Sequence, residues 1–380
     1  MQVSPRREIA GLQAAVHGGI DYAELEARGV DPSQVLDFSA NLNPFGPAPS
    51  VRRVLREMAH ASPDALACYP DSLAVALRRK LAGHLGVDMD NLLMGNGSTE
   101  LIRLLALGYF GQGDTVIVIG PTFGEYEVAC RISGASVVTE KVSPERDFEL
   151  DVEHLVAVIK RARPKGVFLC NPNNPTGRYL GSEAVGRILE AAPGSLVVLD
   201  EAYITFVDAT WSSVAMSVGG STSAATLVVL RSMTKDYGMA GLRLGYAVAE
   251  RGVISTLRRI CPPWNVNAVA QEAGRRALDD EEYLEKTRQE LRRAKEFLLE
   301  ELSSIGLSPV SSEANFFLVR VGDARSLRHE LLARGILVRD CASFGIGGYL
   351  RIAARSMDDC RRLIAALEEV RAIHNGGIKL

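Results

Sequence analysis

The middle of the chain alternates short apolar runs with segments in which apolar residues recur every three or four positions. Between residues 50 and 260 the short runs are Thr115–Ile119, Gly166–Cys170, Ser195–Leu199, Thr226–Leu230 and Leu244–Val248. Runs that are apolar throughout indicate strands buried on both faces, with the intervening helices covering the sheet. The pattern therefore predicts an α/β fold with a mostly parallel sheet between helices.

A long helical pattern follows this region. From Glu282 to Leu302 apolar residues occupy one face and charges the other, which predicts an amphipathic helix. It leads into a smaller α+β region with predicted strands at Asn315–Val319 and Tyr349–Ile352. Residues 1–45 contain no long periodic segment and predict an irregular arm that covers the site. We therefore predict an arm (1–45), a large domain (46–265) and a small C-terminal domain (266–380).

The composition narrows the class of protein. The 380 residues carry a formal net charge of −3, and 47% are hydrophobic and 23% charged, so we expect an enzyme without a nucleic-acid or membrane partner. The six cysteines form no CxxC pair and no Cys/His cluster, which predicts reduced thiols, no metal site and a cytoplasmic location. We expect no membrane-spanning segment and no signal peptide, because the apolar runs are too short.

The candidate chemistry lies in Ser232–Tyr246, with the sequence SMTKDYGMAGLRLGY. The amine of Lys235 can form a Schiff base with an aldehyde cofactor. The hydroxyls of Ser232 and Thr234 and the guanidinium of Arg243 are suited to bind a phosphate. A lysine between glycines is usually a solvated loop residue, so the assignment depends on the other motifs of the chain.

Three further motifs precede this segment. Gly95–Glu100 (GNGSTE) comes before an apolar helical pattern, where backbone N–H groups and hydroxyls can bind phosphate. Asn171–Gly177 (NPNNPTG) and Asp200–Tyr203 (DEAY) each follow an apolar run, at the strand ends where open α/β sheets bind ligands. Each motif alone has a simpler interpretation, as a glycine-rich helix cap, a Pro/Gly turn and the cap of the next helix.

In this order and at these spacings, the four segments resemble fold-type I enzymes that use pyridoxal 5'-phosphate, within the branch of the histidinol-phosphate aminotransferases. The resemblance covers nearly the whole chain. It implies pyridoxal phosphate as cofactor, bound by the large domain (46–265). It further implies that Lys235 is the Schiff-base lysine and proton shuttle, and that Asp200 pairs with the pyridinium nitrogen.

The resemblance also implies how the rest of the cofactor is held. Tyr203 and Asn174 would contact its phenolic oxygen, and Phe123, with Tyr126 as second choice, would stack on its ring. Its phosphate would be bound by Gly97, Ser98, Thr99, Ser232, Thr234 and Arg243. Tyr69, in the motif CYPD, matches a tyrosine that reaches the cofactor phosphate of the neighbouring subunit. The resemblance therefore implies a homodimer with shared active sites.

Two arginines and the N-terminal arm would select the substrate. Arg351 matches an arginine that binds a substrate carboxylate, and Arg339 matches one that meets a distal phosphate or carboxylate. A histidine followed by two glycines can present a ring nitrogen and backbone N–H groups to an anion. Substrate contacts are therefore predicted for His17, Gly18, Gly19, Asn43, Asn174, Arg339 and Arg351. The expected substrate is a small phosphorylated amino acid.

Two reactions suit such a site. The HGG turn is typical of the threonine-phosphate decarboxylases of cobalamin synthesis, so the first expectation is decarboxylation of O-phospho-L-threonine to (R)-1-aminopropan-2-yl phosphate, with O-phospho-L-serine as a variant. The alternative is transamination of histidinol phosphate with glutamate and 2-oxoglutarate. One scaffold can run either reaction, because the orientation of the bonds at the substrate Cα decides which of them breaks. A regulator that binds the cofactor without turnover is disfavoured, because the arm is too short for a DNA-binding helix-turn-helix.

Overall fold

The computed structural model describes residues 3–60, 67–208, 211–219 and 225–373. The strands are β1 (Leu36–Asp37), β2 (Leu92–Asn96), β3 (Thr115–Gly120), β4 (Ser136–Lys141), β5 (Gly166–Cys170), β6 (Leu196–Asp200), β7 (Thr226–Ser232), β8 (Leu244–Val248), β9 (Ser308–Pro309), β10 (Phe316–Arg320), β11 (Ile336–Leu337), β12 (Arg339–Asp340) and β13 (Tyr349–Ala353). The α-helices are α1 (Tyr22–Ala27), α2 (Pro49–His60), α3 (Val75–Leu85), α4 (Ser98–Tyr109), α5 (Glu125–Ser133), α6 (Val152–Ala162), α7 (Ser182–Ala191), α8 (Ser213–Val218), α9 (Arg251–Ile260), α10 (Ala268–Ala277), α11 (Glu281–Ser304), α12 (Ala324–Leu332) and α13 (Met357–Ile373).

A seven-stranded sheet has the order β2-β8-β7-β6-β5-β3-β4, and β8 alone runs opposite to the other six strands. Successive residues of β6 enter different core clusters. Val197 and Leu199 pack on the face covered by α6 and α7, whereas Leu196 and Val198 pack on the face covered by α4 and α5. Helices on both faces explain why the strands are apolar throughout. The predicted α/β fold with a mostly parallel sheet is confirmed.

Two strands of this sheet were absent from the sequence prediction. β4 lies at the edge of the sheet, and its residues are all exposed or half-buried. Most of them are polar, so the strand leaves no long apolar run in the sequence. β2 ends in Gly95-Asn96, which belongs to the GNGSTE motif, and its apolar part is only three residues long. The sequence pattern therefore missed β4 because of its edge position, and β2 because its apolar part is short.

A four-stranded antiparallel sheet, in the order β12-β13-β10-β9, forms a second layer towards the C-terminus. Leu291, Leu298 and Leu302 of α11 pack against Phe317 of β10 in one buried cluster. The predicted amphipathic helix is confirmed, because α11 extends over 24 residues with its charges outward. Neither α11 nor any other helix in the described part of the chain has the length and apolar composition needed to cross a membrane.

The N-terminal arm is more regular than the sequence suggested. It contains α1, whose first turn is capped by the Asp21 carboxylate, and β1, which pairs in parallel with β11. The next residue, Phe38, is buried in the core of the C-terminal unit. The prediction of an irregular arm is therefore wrong. Residues 36–38 pair with a distant strand, and the sequence pattern cannot reveal this pairing. The domain limits at residues 45 and 265 stay predictions.

The carboxyl ends of β5, β6 and β7 lie side by side. Cys170 is in register with Asp200, and Asp200 is in register with Leu230. The NPNNPTG motif follows β5, the DEAY motif begins at the last residue of β6, and Lys235 lies in the turn after β7 ends at Ser232. Because parallel strands end at the same edge of a sheet, distant parts of the chain meet there.

Close packing at the start of β5 gives a test of this core. A Cβ atom on Gly166 would overlap the ring of Phe110, which is buried and packs edge-on against Phe168. We expect Gly166→Ala to lower the free energy of unfolding by about 1–3 kcal/mol, because the ring must move in a filled core.

The matched control is Gly186→Ala in α7, where an added Cβ meets no atom within 4 Å. It should leave stability unchanged or raise it by about 0.5–1 kcal/mol, because glycine is unfavourable inside a helix. Urea unfolding of both variants measures the difference. Equal effects of the two substitutions would contradict the packing described here.

Candidate active site

A cavity of about 270 Å³ lies where the large sheet meets the C-terminal unit. It is lined by Val16, His17, Gly18, Ser39, Ala40, Ser98, Thr99, Phe123, Tyr126, Cys170, Asn174, Asp200, Ala202, Tyr203, Ser232, Thr234, Lys235, Arg243, Phe344 and Arg351. Most of the residues predicted from the four motifs are thus brought together. Gly97 lies directly behind this lining, whereas Gly19, Asn43, Tyr69 and Arg339 do not line it.

Lys235 follows β7 in a turn whose polar groups are ordered. The Ser232 and Thr234 hydroxyl oxygens are 2.6 Å apart, and the Thr234 N–H donates to Ser232 Oγ at 3.3 Å. The Lys235 Nζ lies 5.8 Å from the centre of the Tyr203 ring. The turn therefore presents one amine and two hydroxyls to the same cavity.

The start of α4 forms one wall of the cavity. Gly97 precedes the helix with a φ of +75°, and a Cβ atom there would overlap the guanidinium of Arg243. The first N–H groups of a helix lack partners within it and lie at the positive end of its dipole. With Ser98, Thr99 and Arg243 beside them, these groups are suited to bind a phosphate dianion.

Asp200, at the end of β6, is a buried carboxylate, 3% exposed. It accepts a hydrogen bond of 2.7 Å from the Tyr126 hydroxyl and one of 3.0 Å from the Ala202 N–H. Burial raises the pKa of Asp200, although these two bonds oppose the shift. Burial also raises the pKa of the Cys170 thiol beside it to about 12, so this cysteine stays neutral. A cation placed here would favour the ionised form of Asp200.

Aromatic rings and amides complete the centre of the cavity. The Tyr203 ring packs edge-on against Phe316, with centres 4.9 Å apart, and its hydroxyl accepts from Asn41 Nδ2 at 3.4 Å. Tyr126 stacks on Phe168 and is fixed by Asp200, whereas Phe123 is only partly buried. This arrangement leaves Phe123 the better placed of the two predicted stacking rings.

Arg351, in β13, brings a buried positive charge to the cavity. Its two terminal nitrogens donate to Asn174 Oδ1 and to the Ser39 carbonyl oxygen, and its Nε has no partner. Burial lowers the pKa of Arg351. Within the described ranges of the chain, no carboxylate lies within ion-pair distance of this guanidinium. The geometry is that of an anion site whose counter-ion would come from a ligand.

The HGG turn and Arg339 make contacts that hold the N-terminal arm in place, and His17 and Gly18 also line the cavity. His17 Nε2 lies 3.0 Å from Glu125 Oε1, and a Cβ on Gly18 would overlap the Ser39 carbonyl oxygen. Arg339 donates to the carbonyl oxygens of Val16 and His17 at 2.9 and 2.8 Å. One of its terminal nitrogens also donates to Ser343 Oγ at 2.7 Å, whereas its Nε has no partner among the described residues. The contacts to Val16 and His17 dock the arm, and Arg339 does not line the cavity.

Three other predicted residues also lie outside the lining. Gly19 donates its N–H to Ser39 Oγ at 2.8 Å, as part of the docked turn. Asn43 donates from Nδ2 to the Asp236 carbonyl oxygen at 2.9 Å and accepts from the Phe45 N–H, so its amide is used by the backbone. Tyr69 is 77% exposed and stacks on Trp264, with ring centres 4.1 Å apart.

Sequence reasoning missed several residues of the lining. Ser39 and Ala40 lie within the arm motif, and Cys170 is the last residue of a predicted strand, so their neighbours gave a signal. Val16 and Phe344 carry no chemical signature, and only the docking of the arm and of the loop after β12 brings them to the cavity. Among the described residues, no group of three or more His, Cys, Asp or Glu side chains is arranged to hold a metal ion.

Comparison with known proteins identifies relatives along most of the chain. A family model described as aminotransferase class I and II matches residues 33–367. The histidinol-phosphate aminotransferase of Moorella thermoacetica is 39% identical over 342 residues, covering 89% of this chain and 86% of that protein. The structure of histidinol-phosphate aminotransferase from Sinorhizobium meliloti in complex with pyridoxal-5'-phosphate is similar with a TM-score of 0.86 and 25% identity, covering 98% of this chain and 99% of that one. L-threonine-O-3-phosphate decarboxylase from Porphyromonas gingivalis is similar with a TM-score of 0.76 and 28% identity, covering 88% and 99%.

The expectation of a decarboxylase of cobalamin synthesis is wrong. Curated relatives 33–39% identical to this chain, matched over most of their length, are histidinol-phosphate aminotransferases. The decarboxylase is a more distant structural neighbour. The HGG turn does not by itself indicate a decarboxylase, because Gly18 packs against the Ser39 carbonyl oxygen and Arg339 binds the backbone of the arm.

The family itself is established by the extent of the match. The family model covers residues 33–367 of the 380, from the end of the arm to the last helix. The cavity gathers a lysine, a buried carboxylate and the start of a helix from distant segments. This chain therefore belongs to the aminotransferase class I and II family, whose members are enzymes that use pyridoxal phosphate.

Proposed function

We propose that this chain is a histidinol-phosphate aminotransferase, which moves the amino group of L-histidinol phosphate to 2-oxoglutarate and so forms glutamate. The observation that carries the proposal is the buried guanidinium of Arg351, which lines the cavity of Lys235 and has only neutral partners. A buried cation is costly unless an anion joins it. One substrate brings a phosphate and the other brings carboxylates. The relatives at 33–39% identity support the same reaction.

The residues of the cavity suit pyridoxal phosphate. We assign its phosphate to the start of α4 and to the hydroxyl and guanidinium groups around it, namely Gly97, Ser98, Thr99, Ser232, Thr234 and Arg243. The close approach of Arg243 to Gly97 supports this assignment, because any side chain at position 97 would fill the space between them. A helix N-terminus, hydroxyls and one fixed positive charge together match a dianion.

The roles of the reacting groups follow from their chemistry. Pyridoxal phosphate, when bound, supplies an electron sink for negative charge at the substrate carbon. We assign to Lys235 the attachment of the cofactor and the movement of a proton at that carbon. The Tyr126 hydroxyl and the Ala202 N–H hold the Asp200 carboxylate in place, so that it can face a ring cation. Tyr203 and Asn174 are assigned to the phenolic oxygen, and Phe123 to the ring face.

An aminotransferase must bind two different anionic substrates in turn. The guanidinium of Arg351 suits both, because its planar donors pair with carboxylate and with phosphate oxygens. Asn174 and Ser39 hold this group by neutral oxygens, which an anion can replace without breaking an ion pair. We assign Arg339 and His17 to the docking of the arm, and Arg351 to the substrate anion.

We also propose that the active enzyme is a dimer in which Tyr69 reaches the cofactor phosphate of the second copy. The exposed phenol of Tyr69, stacked on Trp264, supports this proposal because it has no role in the cavity of its own chain. Closed two-fold dimers are the commonest assembly of homo-oligomers.

The reaction is tested by incubating the purified protein and pyridoxal phosphate with L-histidinol phosphate and 2-oxoglutarate. Glutamate should form only when both substrates are present, as measured with glutamate dehydrogenase. Arg351→Lys should raise KM for both substrates, because a lysine cannot form the planar pair. Release of CO₂ from O-phospho-L-threonine without a 2-oxo acid, and no glutamate, would overturn the proposal.

Asp200→Asn should lower kcat for amine transfer by about 10- to 1,000-fold, because a buried carboxylate shifts the pKa of a neighbouring cation by roughly one to three units. Cofactor absorbance after gel filtration should show that the variant still binds pyridoxal phosphate. Asp88→Asn is a control, because Asp88 forms an exposed ion pair with Arg251. A normal kcat at saturating cofactor would mean that Asp200 serves only as a cap for Ala202.

The shared site is tested by mixing Tyr69→Ala chains with Lys235→Ala chains under conditions of subunit exchange. Half of the dimers become hybrids with one intact site, so about a quarter of wild-type activity should return. Mixing Asp200→Asn with Lys235→Ala chains is the control, because both residues serve the same cavity and no site is restored. Exchange without recovery in the first mixture would refute the shared site.

A further inference from the structure

The residue after Lys235 is a buried carboxylate with no part in the chemistry proposed above. Asp236 is 7% exposed. Its Oδ2 accepts a hydrogen bond of 2.8 Å from Thr205 Oγ1, and its Oδ1 accepts from the Tyr237 N–H at 2.9 Å. Both carboxylate oxygens are therefore engaged, one by Thr205 and one by the next residue of the same turn.

The bond to Thr205 joins the two turns that carry the reacting side chains. Thr205 lies two residues after Tyr203, within the 3-10 helix Ile204–Phe206. Asp236 is bonded directly to Lys235 in the chain, and the Lys235 Nζ lies 5.8 Å from the Tyr203 ring centre. One hydrogen bond thus links the lysine turn to the tyrosine turn, directly behind the pair of groups that face the cavity.

The same turn is held from the opposite side by the N-terminal segment. The Asn43 N–H donates to the Lys235 carbonyl oxygen at 2.9 Å, and Asn43 Nδ2 donates to the Asp236 carbonyl oxygen at 2.9 Å. Gly238, at a φ of +63°, lies so close to Gly46 that a Cβ would overlap it. The backbone N–H and side-chain amide of Asn43, together with the Asp236 carboxylate, therefore fix the turn that bears Lys235.

The charge of Asp236 is poorly compensated. The titratable groups facing it are Arg231, Tyr237 and Tyr246, and in the part of the chain that the structure describes none forms an ion pair with it. Arg231 is instead paired with Glu201 at 2.8 Å. Burial raises the pKa of Asp236 to about 6.

The raised pKa has a consequence for stability. A carboxyl group whose pKa is higher in the folded than in the unfolded state favours folding at low pH, and this contribution is lost as the pH rises through the folded value. At pH 7.5 the ionised Asp236 is therefore a cost to the fold.

We propose that Asp236 is a positioning residue, which holds the Lys235 turn against the Tyr203 turn through its hydrogen bond with Thr205. The ionised carboxylate makes that bond stronger than an amide would, because bonds to charged acceptors are about twice as strong. The inference rests on the proposed role of Lys235 in attaching the cofactor. It adds a group that acts on Lys235 without touching the cofactor or the substrate.

The central test compares Thr205→Val with Thr205→Ser. Loss of the hydroxyl should lower kcat about 10-fold with KM nearly unchanged, because a hydrogen bond to a charged group is removed and the amine loses its fixed position. Serine restores the hydroxyl and should restore most of kcat. The matched control is Thr256→Val in α9, where a hydroxyl bonded to the Gly252 carbonyl oxygen is lost far from the cavity. It should leave kcat unchanged.

Asp236 itself is tested by Asp236→Ala and Asp236→Asn. Alanine should lower kcat at least as far as Thr205→Val does, and combining the two should cause no further loss, because each removes the same bond. Asp236→Asn should give an intermediate kcat. At pH 7.5 this variant should unfold at a urea concentration equal to or higher than that of the wild type. Losses that multiply in the double variant, or an unchanged kcat in Thr205→Val, would overturn the inference. If Asp236→Ala does not fold, the comparison of Thr205→Val with Thr205→Ser still tests the inference.

A measurement on cofactor-free protein separates this inference from the proposed function. Wild type and variants are mixed with pyridoxal phosphate, and attachment to Lys235 is followed by absorbance, then located by borohydride reduction and peptide mass spectrometry. Thr205→Val should attach the cofactor several-fold more slowly than wild type. Cofactor on a different lysine would refute the proposed function. Cofactor on Lys235, with attachment and kcat unaffected by the substitutions, would refute this inference alone.

Discussion

The cavity is surrounded by buried charges that the protein does not pair with one another. Asp200 is held by a tyrosine hydroxyl and a backbone N–H, and Arg351 by an amide and a carbonyl oxygen. Nearby, the side chains of Glu201 and Arg231 form an ion pair at 2.8 Å. Opposite charges in the same region are thus paired with each other, whereas Asp200 and Arg351 are held by neutral groups. Hydrogen bonds to neutral groups fix a charged side chain but leave most of its attraction available to a ligand. The site depends on this contrast.

The segment from Ser39 to Asn43 connects these charges across the fold. Its Ser39 carbonyl oxygen accepts from Arg351, and its Asn43 donates to the turn of Lys235. Between them, Asn41 donates to the Tyr203 hydroxyl, at a φ of +53° that asparagine tolerates better than most residues. A short stretch of the arm thus contacts both the C-terminal unit and the large sheet. Its backbone and amides therefore connect Arg351 to the turn of Lys235 across the fold.

The sequence predicted the large sheet well, because strands buried on both faces leave continuous apolar runs. It missed β4, whose edge position leaves it polar, and β1, whose partner β11 lies some 300 residues away. It placed Lys235, Asp200, Asn174 and Arg351 in one site from motifs, and the structure brings these residues to one cavity. Arg339 and Asn43 were expected there for the same reason. Both lie nearby, but with their donors turned to the backbone.

The sequence by itself determined the α/β fold and the residue types of the site, because strand periodicity and chemical motifs are local properties of a chain. It could not determine what each polar side chain faces. His17 belongs to a turn whose sequence, HGG, suits anion binding. Its ring Nε2 lies 3.0 Å from Oε1 of Glu125, a residue more than a hundred positions away. The direction of a donor is fixed by packing between distant segments, and the same donor can bind a ligand or dock a loop. Only the tertiary structure shows which contacts each donor makes, because those contacts join segments that lie far apart in the sequence.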